Sequence, residues 1–254
     1  SRMMTWCPSA IRASATWLPM NPAPPVTQMM EPMTTDPLDV DVLLRCPVLA
    51  PGFYQRSTVE VARALLGKVV VRQNREGVAA VRLTEVEAYL GAEDPACHTF
   101  GGRRTPRTET MWGKAGRAYV YLIYGLHHCL NVVTVGEGFG EAILVRAGVA
   151  VCGIDLMRSR RGTNVPDRRL TDGPGKLCQA LAITRSDDGV DLCGADGGLW
   201  LCDDGWRVGE GGVERHPRIG VGYAGDAAAW PLRFVGVGTG EPTPPQAAEA
   251  ISRR

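Results

Sequence analysis

The stretch RAYVYLIYGLHHCLNVVTVGEGFGEAILVRAGV, residues 117–149, decides the fold. It contains three runs dense in β-branched and aromatic residues, Arg117 to Tyr124, Cys129 to Val135 and Ala142 to Val149, with a turn at Gly125 after the first. Such runs favour extended chain, and consecutive strands on short connections pair with one another, so a three-strand meander is expected. Upstream, Lys68 to Arg72 and Val78 to Tyr89 flank the polar Asn74-Arg75-Glu76-Gly77 turn and predict an antiparallel hairpin. Before it, Ser57-Thr58 precedes Val59, Val61, Ala62, Leu65 and Leu66, with Gly67 behind, the pattern of a capped helix with one apolar face.

Downstream, Cys152 to Arg161 and Lys176 to Ile183 read as helices, the second introduced by Gly173-Pro174-Gly175. Leu199 to Cys202, Arg218 to Val221 and Leu232 to Val235 read as strands. Strands mostly follow strands and no repeat is visible, so the class is α+β with an antiparallel sheet rather than a doubly wound fold. Order is expected to begin near Leu43, giving one domain over residues 43–238. Residues 1–38, rich in Met and Pro and almost without acids before Glu31, are expected to be a disordered extension. Residues 239–254, with Pro242, Pro244, Pro245 and a closing Arg253-Arg254, are expected to be a peripheral tail.

With 254 residues, 44% of them hydrophobic, the chain can bury a substantial core. It holds no apolar run long enough to span a membrane and no basic-then-apolar secretory layout, so a soluble intracellular protein is expected: in the cytoplasm or nucleoid if bacterial, in the nucleus if eukaryotic. Its eight cysteines form no CxxC pair and read as reduced thiols. Cys97-His98 and His127-His128-Cys129 carry ligand atoms without zinc spacing, and no metal or cofactor is expected. There is no G-x-S-x-G, Walker or H-E-x-x-H motif. The net charge of +1 says nothing of a polyanion, but charge is uneven. Arg103, Arg104, Arg107, Lys114 and Arg117 stand against Glu109 alone, and Arg158, Arg160, Arg161, Arg168 and Arg169 form a second run. Both suit phosphate contacts over a small footprint, and both read equally well as solvated loops.

Chemistry concentrates around Glu87-Ala88-Tyr89, His98 and Tyr119-Val120-Tyr121-Leu122-Ile123-Tyr124-Gly125, with Arg146 one strand later. Four of the six tyrosines lie in this region. An acid, flat rings and cations together suit a pocket that stacks a planar group, such as a nucleic-acid base, and performs acid–base chemistry on it. Strand alternation puts Glu85, Glu87 and Tyr89 on one face, which as a bare pattern also fits a polar edge facing solvent. Tyr119 and Tyr121 share a face, where ordinary sheet packing is the bland alternative, and Tyr124 stands exposed beside the turn.

These blocks resemble the alkyladenine (3-methyladenine) DNA glycosylases of the mammalian type. The likeness runs through Glu85-Val86-Glu87-Ala88-Tyr89-Leu90-Gly91, Glu93-Asp94, His98, Gly101-Gly102-Arg103 with Thr105-Pro106-Arg107, and Tyr119 to Gly125. It continues through Asn131, Leu144-Val145-Arg146-Ala147, Gly173-Pro174 with Lys176 to Leu181, and Arg218-Ile219-Gly220-Val221-Gly222, covering about residues 50 to 236. The resemblance implies a single domain around a curved antiparallel sheet, with flanking helices and a protruding β-hairpin that enters the minor groove. It implies that Glu87 activates a water, with Arg146 and the backbone carbonyl of Ile219 helping to hold it. It implies that Tyr89, His98 and Tyr121 stack the flipped purine, that Tyr119 orients the histidine, and that Asn131 and Leu144 shape the pocket against normal guanine. Tyr124 matches the intercalating wedge, and phosphate contacts are expected from Arg103, Arg107 and Lys176, the last just behind the Gly173-Pro174-Gly175 helix start.

The expected partner is double-stranded DNA containing damaged purines, read by a monomer that releases the base and leaves an abasic site. No lysine matches a Schiff-base nucleophile, so a monofunctional enzyme is implied. His127 departs from the family pattern, which has a further tyrosine there. Two other readings stay open: a catalytically weak binder of damaged nucleic acid using the same aromatic cleft, and an unrelated hydrolase using Cys97, His98 and Glu87.

Overall fold

Three consecutive valines open β1 (Val69–Asn74), and the chain turns at Arg75-Glu76 into β2 (Gly77–Tyr89), which pairs back antiparallel. This is the hairpin the sequence predicts. The expected meander follows as β3 (Ala118–Ile123), β4 (His127–Val133) and β5 (Ala142–Cys152). β5 lies against β2, giving the order β3-β4-β5-β2-β1-β6, with β6 at Leu199–Cys202. A two-residue β7 (Trp206–Arg207) pairs only with β10 (Glu241–Pro242), whereas β8 (Val213–His216) and β9 (Arg233–Gly236) join the main sheet, β9 against β2, for eight strands. Every pairing is antiparallel. These relations come from a computed structural model that describes residues 37–209, 211–238 and 241–242.

Among the described residues five α-helices surround the sheet: α1 (Val40–Arg45), α2 (Pro51–Tyr54), α3 (Thr58–Leu65), α4 (Ile154–Arg161) and α5 (Pro174–Ala180). α3 is capped as its sequence predicts, with the Ser57 side chain accepting from the Glu60 amide. It buries Val61, Ala62 and Leu65 against Val70, Val81, Leu83 and Val86 of the sheet. Leu43 of α1 seals the opposite face with Val69, Val71 and Trp200, each such side chain contributing roughly 2 kcal/mol. The chain is thus an α+β domain with an antiparallel sheet at its centre.

Several boundaries differ from the sequence reading. Leu43, near which order is expected to begin, lies within α1. Cys152 ends β5 rather than opening a helix, because Gly153 takes φ 69 where a Cβ would lie 2.4 Å from the Val78 carbonyl, and α4 starts after it. α5 begins at Pro174 and closes at Ala180, short of Ile183. Arg218 to Val221 is not a strand: the Ile219 amide binds a side chain instead of a ladder partner, and Gly220 has φ 77. The edge position goes to β8. The long 91–116 connection folds into 3-10 turns at Gly91–Glu93, Phe100–Gly102 and Glu109–Trp112. The expected extension over residues 1–38 and the tail over 239–254 lie almost wholly outside the described residues. No helix among the described residues is long and apolar enough to cross a membrane.

Candidate functional site

β2 is an interior strand, flanked by β5 on one side and by β1 and β9 on the other, so the polar-edge reading of Glu85 and Glu87 does not hold. Glu87 is fully buried. Its Oε1 accepts from the Ile219 amide at 2.8 Å and lies 3.4 Å from Nη1 of Arg146, while the Tyr89 hydroxyl donates to Oε2 at 2.9 Å. Burial raises the Glu87 carboxyl above its ordinary value, and Arg146, the Ile219 amide and the Tyr89 hydroxyl offset part of that rise. A carboxylate so held is a base in a dry place, with donors that fix its direction.

Beside it, Tyr89, Ala96, Cys97, His98, Met111, Tyr119, Tyr121, Asn131, Ala142 and Tyr223 line a cavity of about 50 Å³. The Tyr119 and Tyr121 rings lie 5.4 Å apart, tilted by 33°, and His98 meets Tyr121 edge-on at 4.7 Å. His98 Nδ1 and the Tyr119 hydroxyl form a 3.0 Å hydrogen bond, which ties the imidazole to β3. Asn131 donates from Nδ2 to the Tyr119 carbonyl at 3.1 Å. Leu144 lies opposite both Asn131 and Glu87 in the sheet register and outside the cavity lining.

Burial, followed by the nearby Arg107 and Arg103, lowers the His98 pKa to about 4. Imidazole is therefore neutral in the fold at neutral pH. A histidine with a depressed folded pKa contributes stability that is present above its unfolded value of about 6.5 and is lost as pH falls toward the folded value. Between pH 6.5 and 4 the parent is expected to lose about 2 kcal/mol more than His98→Gln, a figure reduced for the ring's partial exposure. Urea unfolding of both proteins across that range checks it; parallel pH profiles would refute a neutral buried ring.

Tyr124 is 82% exposed at the β3–β4 turn, with Leu126 beside it at 77%. Its φ of 52 is followed by 69 at Gly125, and a bulky residue is rarely left-handed, so the tip holds its aromatic ring out at some backbone cost. Arg107 reaches the Leu122 carbonyl and lies 5.2 Å over the Tyr121 ring, Arg103 is exposed, and Lys176 is 2.7 Å from Asp172. Part of the second basic run is paired within the fold. Arg158 pairs with Asp155 and Asp167, Arg160 with Glu76, and Arg161 donates to Gln179. The Cys97 thiol, buried and sharing a 3.1 Å contact with Thr99 Oγ1, is pushed up by burial and is a poor nucleophile.

Other site residues escaped the sequence reading. Arg218 and Asp94 form an ion pair with both side chains fully buried, and the guanidinium lies 4.7 Å from the centre of the Tyr89 ring. Asp94 also accepts from the Leu90 and Ala96 amides, so the pair ties the end of β2 to the segments bearing His98 and Ile219. Tyr223 closes the cavity, its hydroxyl donating to the Ala96 carbonyl at 3.1 Å. Its position after Gly222 was the signal available for it.

The model of the methylpurine-DNA glycosylase family matches residues 52–239. A candidate 3-methyladenine DNA glycosylase of Methanocella arvoryzae is 48% identical over 188 residues, 74% of this chain and 92% of that protein. Those of Bdellovibrio bacteriovorus and Myxococcus xanthus are 43% and 47% identical, covering 74% and 73% of this chain and 94% and 88% of their own. These relatives are archaeal and bacterial, so nothing in the match is specific to the mammalian branch.

Proposed function

The chain belongs to the methylpurine-DNA glycosylase family and is a hydrolase of N-glycosyl bonds, and from that premise we propose that it flips damaged purines out of duplex DNA and hydrolyses them from the sugar with a water activated by Glu87. The observation that carries this reading is the fully buried carboxylate of Glu87, oriented by three donors beside an aromatic cavity. Cleavage develops positive charge on the sugar, so an ionised carboxylate both takes the water's proton and stabilises the transition state. Arg146 and the backbone carbonyl of Ile219 hold the water, and Arg146 offsets part of the rise that burial imposes on the Glu87 carboxyl. Tyr89, His98 and Tyr121 stack the base, with cation–π attraction favouring purines made positive by alkylation. Tyr119 fixes the neutral His98, and Asn131 and Leu144 set the pocket's shape against the 2-amino group of guanine.

Tyr124 at the hairpin tip fills the gap left in the duplex, and Arg103, Arg107 and Lys176 contact phosphates, Lys176 by leaving Asp172. The enzyme is monofunctional, acts as a monomer over residues 43–238, and leaves an abasic site for the later steps of base excision repair. The test is incubation with duplexes carrying a single hypoxanthine, ethenoadenine or alkylated purine, followed by alkaline cleavage. Product is expected from at least one; tight binding with no product from any would leave a damaged-DNA binder. Flipping costs a few kcal/mol, part of which the wedge returns, so Tyr124→Ser is expected to slow excision from duplex about tenfold. Because Tyr124 is 82% exposed, its melting temperature should stay that of the parent. Unchanged single-turnover rates would remove Tyr124 from this role.

A further inference from the structure

Glu85 takes no part in the chemistry proposed above, yet two guanidinium groups converge on it. Its Oε1 accepts from Nε of Arg146 at 3.1 Å and from Nη1 of Arg233 at 3.1 Å. Arg233 is only 5% exposed and its Nε donates to the Pro217 carbonyl at 2.9 Å. Two residues beyond Pro217, the Ile219 amide points at Glu87. The β2–β5 register shifts on both sides of Glu85, and such bulges re-aim a side chain; here Glu85 and Glu87 both meet Arg146.

We infer that Glu85 is a positioning residue for Glu87, holding Arg146 on one side and, through Arg233 and the Pro217 carbonyl, the Ile219 amide on the other. The inference rests on Glu87 being the base. Its logic is geometric. With Nε bound to Glu85, Arg146 meets Glu87 through Nη1 at 3.4 Å, a long contact that leaves carboxylate lone pairs for a water. Freed from Glu85, the planar fork can close on Glu87 with two parallel bonds, the geometry guanidinium and carboxylate prefer. That would occupy the base and make it weaker. The bland alternative is that the Glu85–Arg233 contact merely joins β2 to β9, whose register sets Glu85 opposite Val235 and Glu87 opposite Arg233.

The two differ in pH dependence. Around Glu87 stand Glu85 and Tyr89 on β2, Arg146 on β5, Arg233 on β9, Tyr121 on β3, Cys129 on β4, and Arg218 and Tyr223 from the 217–223 segment. Of these, Glu85 is the neighbouring carboxylate, and its charge helps raise Glu87. Glu85→Gln should therefore do two things at once. Single-turnover excision, at neutral pH, of whichever lesion duplex the parent cleaves should fall about 10- to 100-fold with duplex affinity unchanged, and the acid limb of the pH–rate profile should move to lower pH. An unchanged rate, or a limb in the parent's place, overturns the inference. Should Glu85→Gln fail to fold, Arg233→Lys keeps the charge while losing the bond to Pro217, and a parental excision rate in that variant overturns it equally. Glu87→Gln is run in parallel: full activity there would sink the reading of Glu87 as base, separately from any result at Glu85.

Discussion

Glu87→Gln is expected to lower single-turnover excision by about three orders of magnitude while leaving duplex binding intact, since a general base alone supplies about 10²- to 10⁴-fold and its charge supports the sugar as well. Glutamine keeps the hydrogen-bonding shape and loses the charge and the basicity. Activity needs the ionised carboxylate, whose pKa burial holds above the ordinary glutamate value, so the parent's rate should fall with decreasing pH above the usual carboxylate range. The stability sign is the reverse of the catalytic one. A carboxyl with a raised folded pKa contributes stability that is fully present below its unfolded value of about 4.3 and lost as pH rises through the folded value. Glu87 thus weakens the fold at neutral pH, and Glu87→Gln should melt no lower than the parent. A variant that loses activity by unfolding would contradict both halves of the prediction.

Asp94→Asn should cost about 3 to 5 kcal/mol, because it leaves Arg218 charged, fully buried and without its carboxylate. Chemical denaturation of parent and variant measures the loss, and a change under about 1 kcal/mol would show that the pair is dispensable. The double variant Asp94→Asn/Arg218→Met should recover part of it, since removing both charges removes the uncompensated one. Excision should remain impaired in the double variant: the guanidinium that backs the Tyr89 ring at 4.7 Å is gone, and the 217–219 segment loses its anchor to Ala88 and Asp94. The single substitution therefore tests the fold, and the double one tests the pocket.

The parts of the fold legible in advance are those written in local periodicity. Val69 to Val71, the extended run of β2 after its polar turn and the meander of residues 118–152 need only their own residues and short turns to be recognised, as does the Ser57 cap of α3. The failures share a cause. Arg218 to Val221 has the apolar spacing of a strand, yet its amides and side chains are drawn to Glu87 and Asp94, partners that no local pattern reveals. Among the basic residues 158–169, Arg158 pairs with Asp155 and Asp167, which are near it in sequence, whereas the Glu76 that pairs with Arg160 lies 84 residues away.

For the candidate site, period-two alternation placed Glu85, Glu87 and Tyr89 on a common face, Tyr119 and Tyr121 on another, and Tyr124 at a tip, and the family likeness attached a role to each. Whether that first face was solvated or buried lay beyond it. Burial depends on which strands flank β2, and β9 arrives from far along the chain. Glu87 meets the Ile219 amide across 132 residues, Asp94 meets Arg218 across 124, and Glu85 meets Arg233 across 148. By itself the sequence determined the hairpin, the meander, the class and the residues with the right chemistry. Only the tertiary structure decided that Glu87 would be dry, directed and held between two arginine relays, because contacts between such distant segments are set by packing of the whole sheet and not by any neighbouring residue.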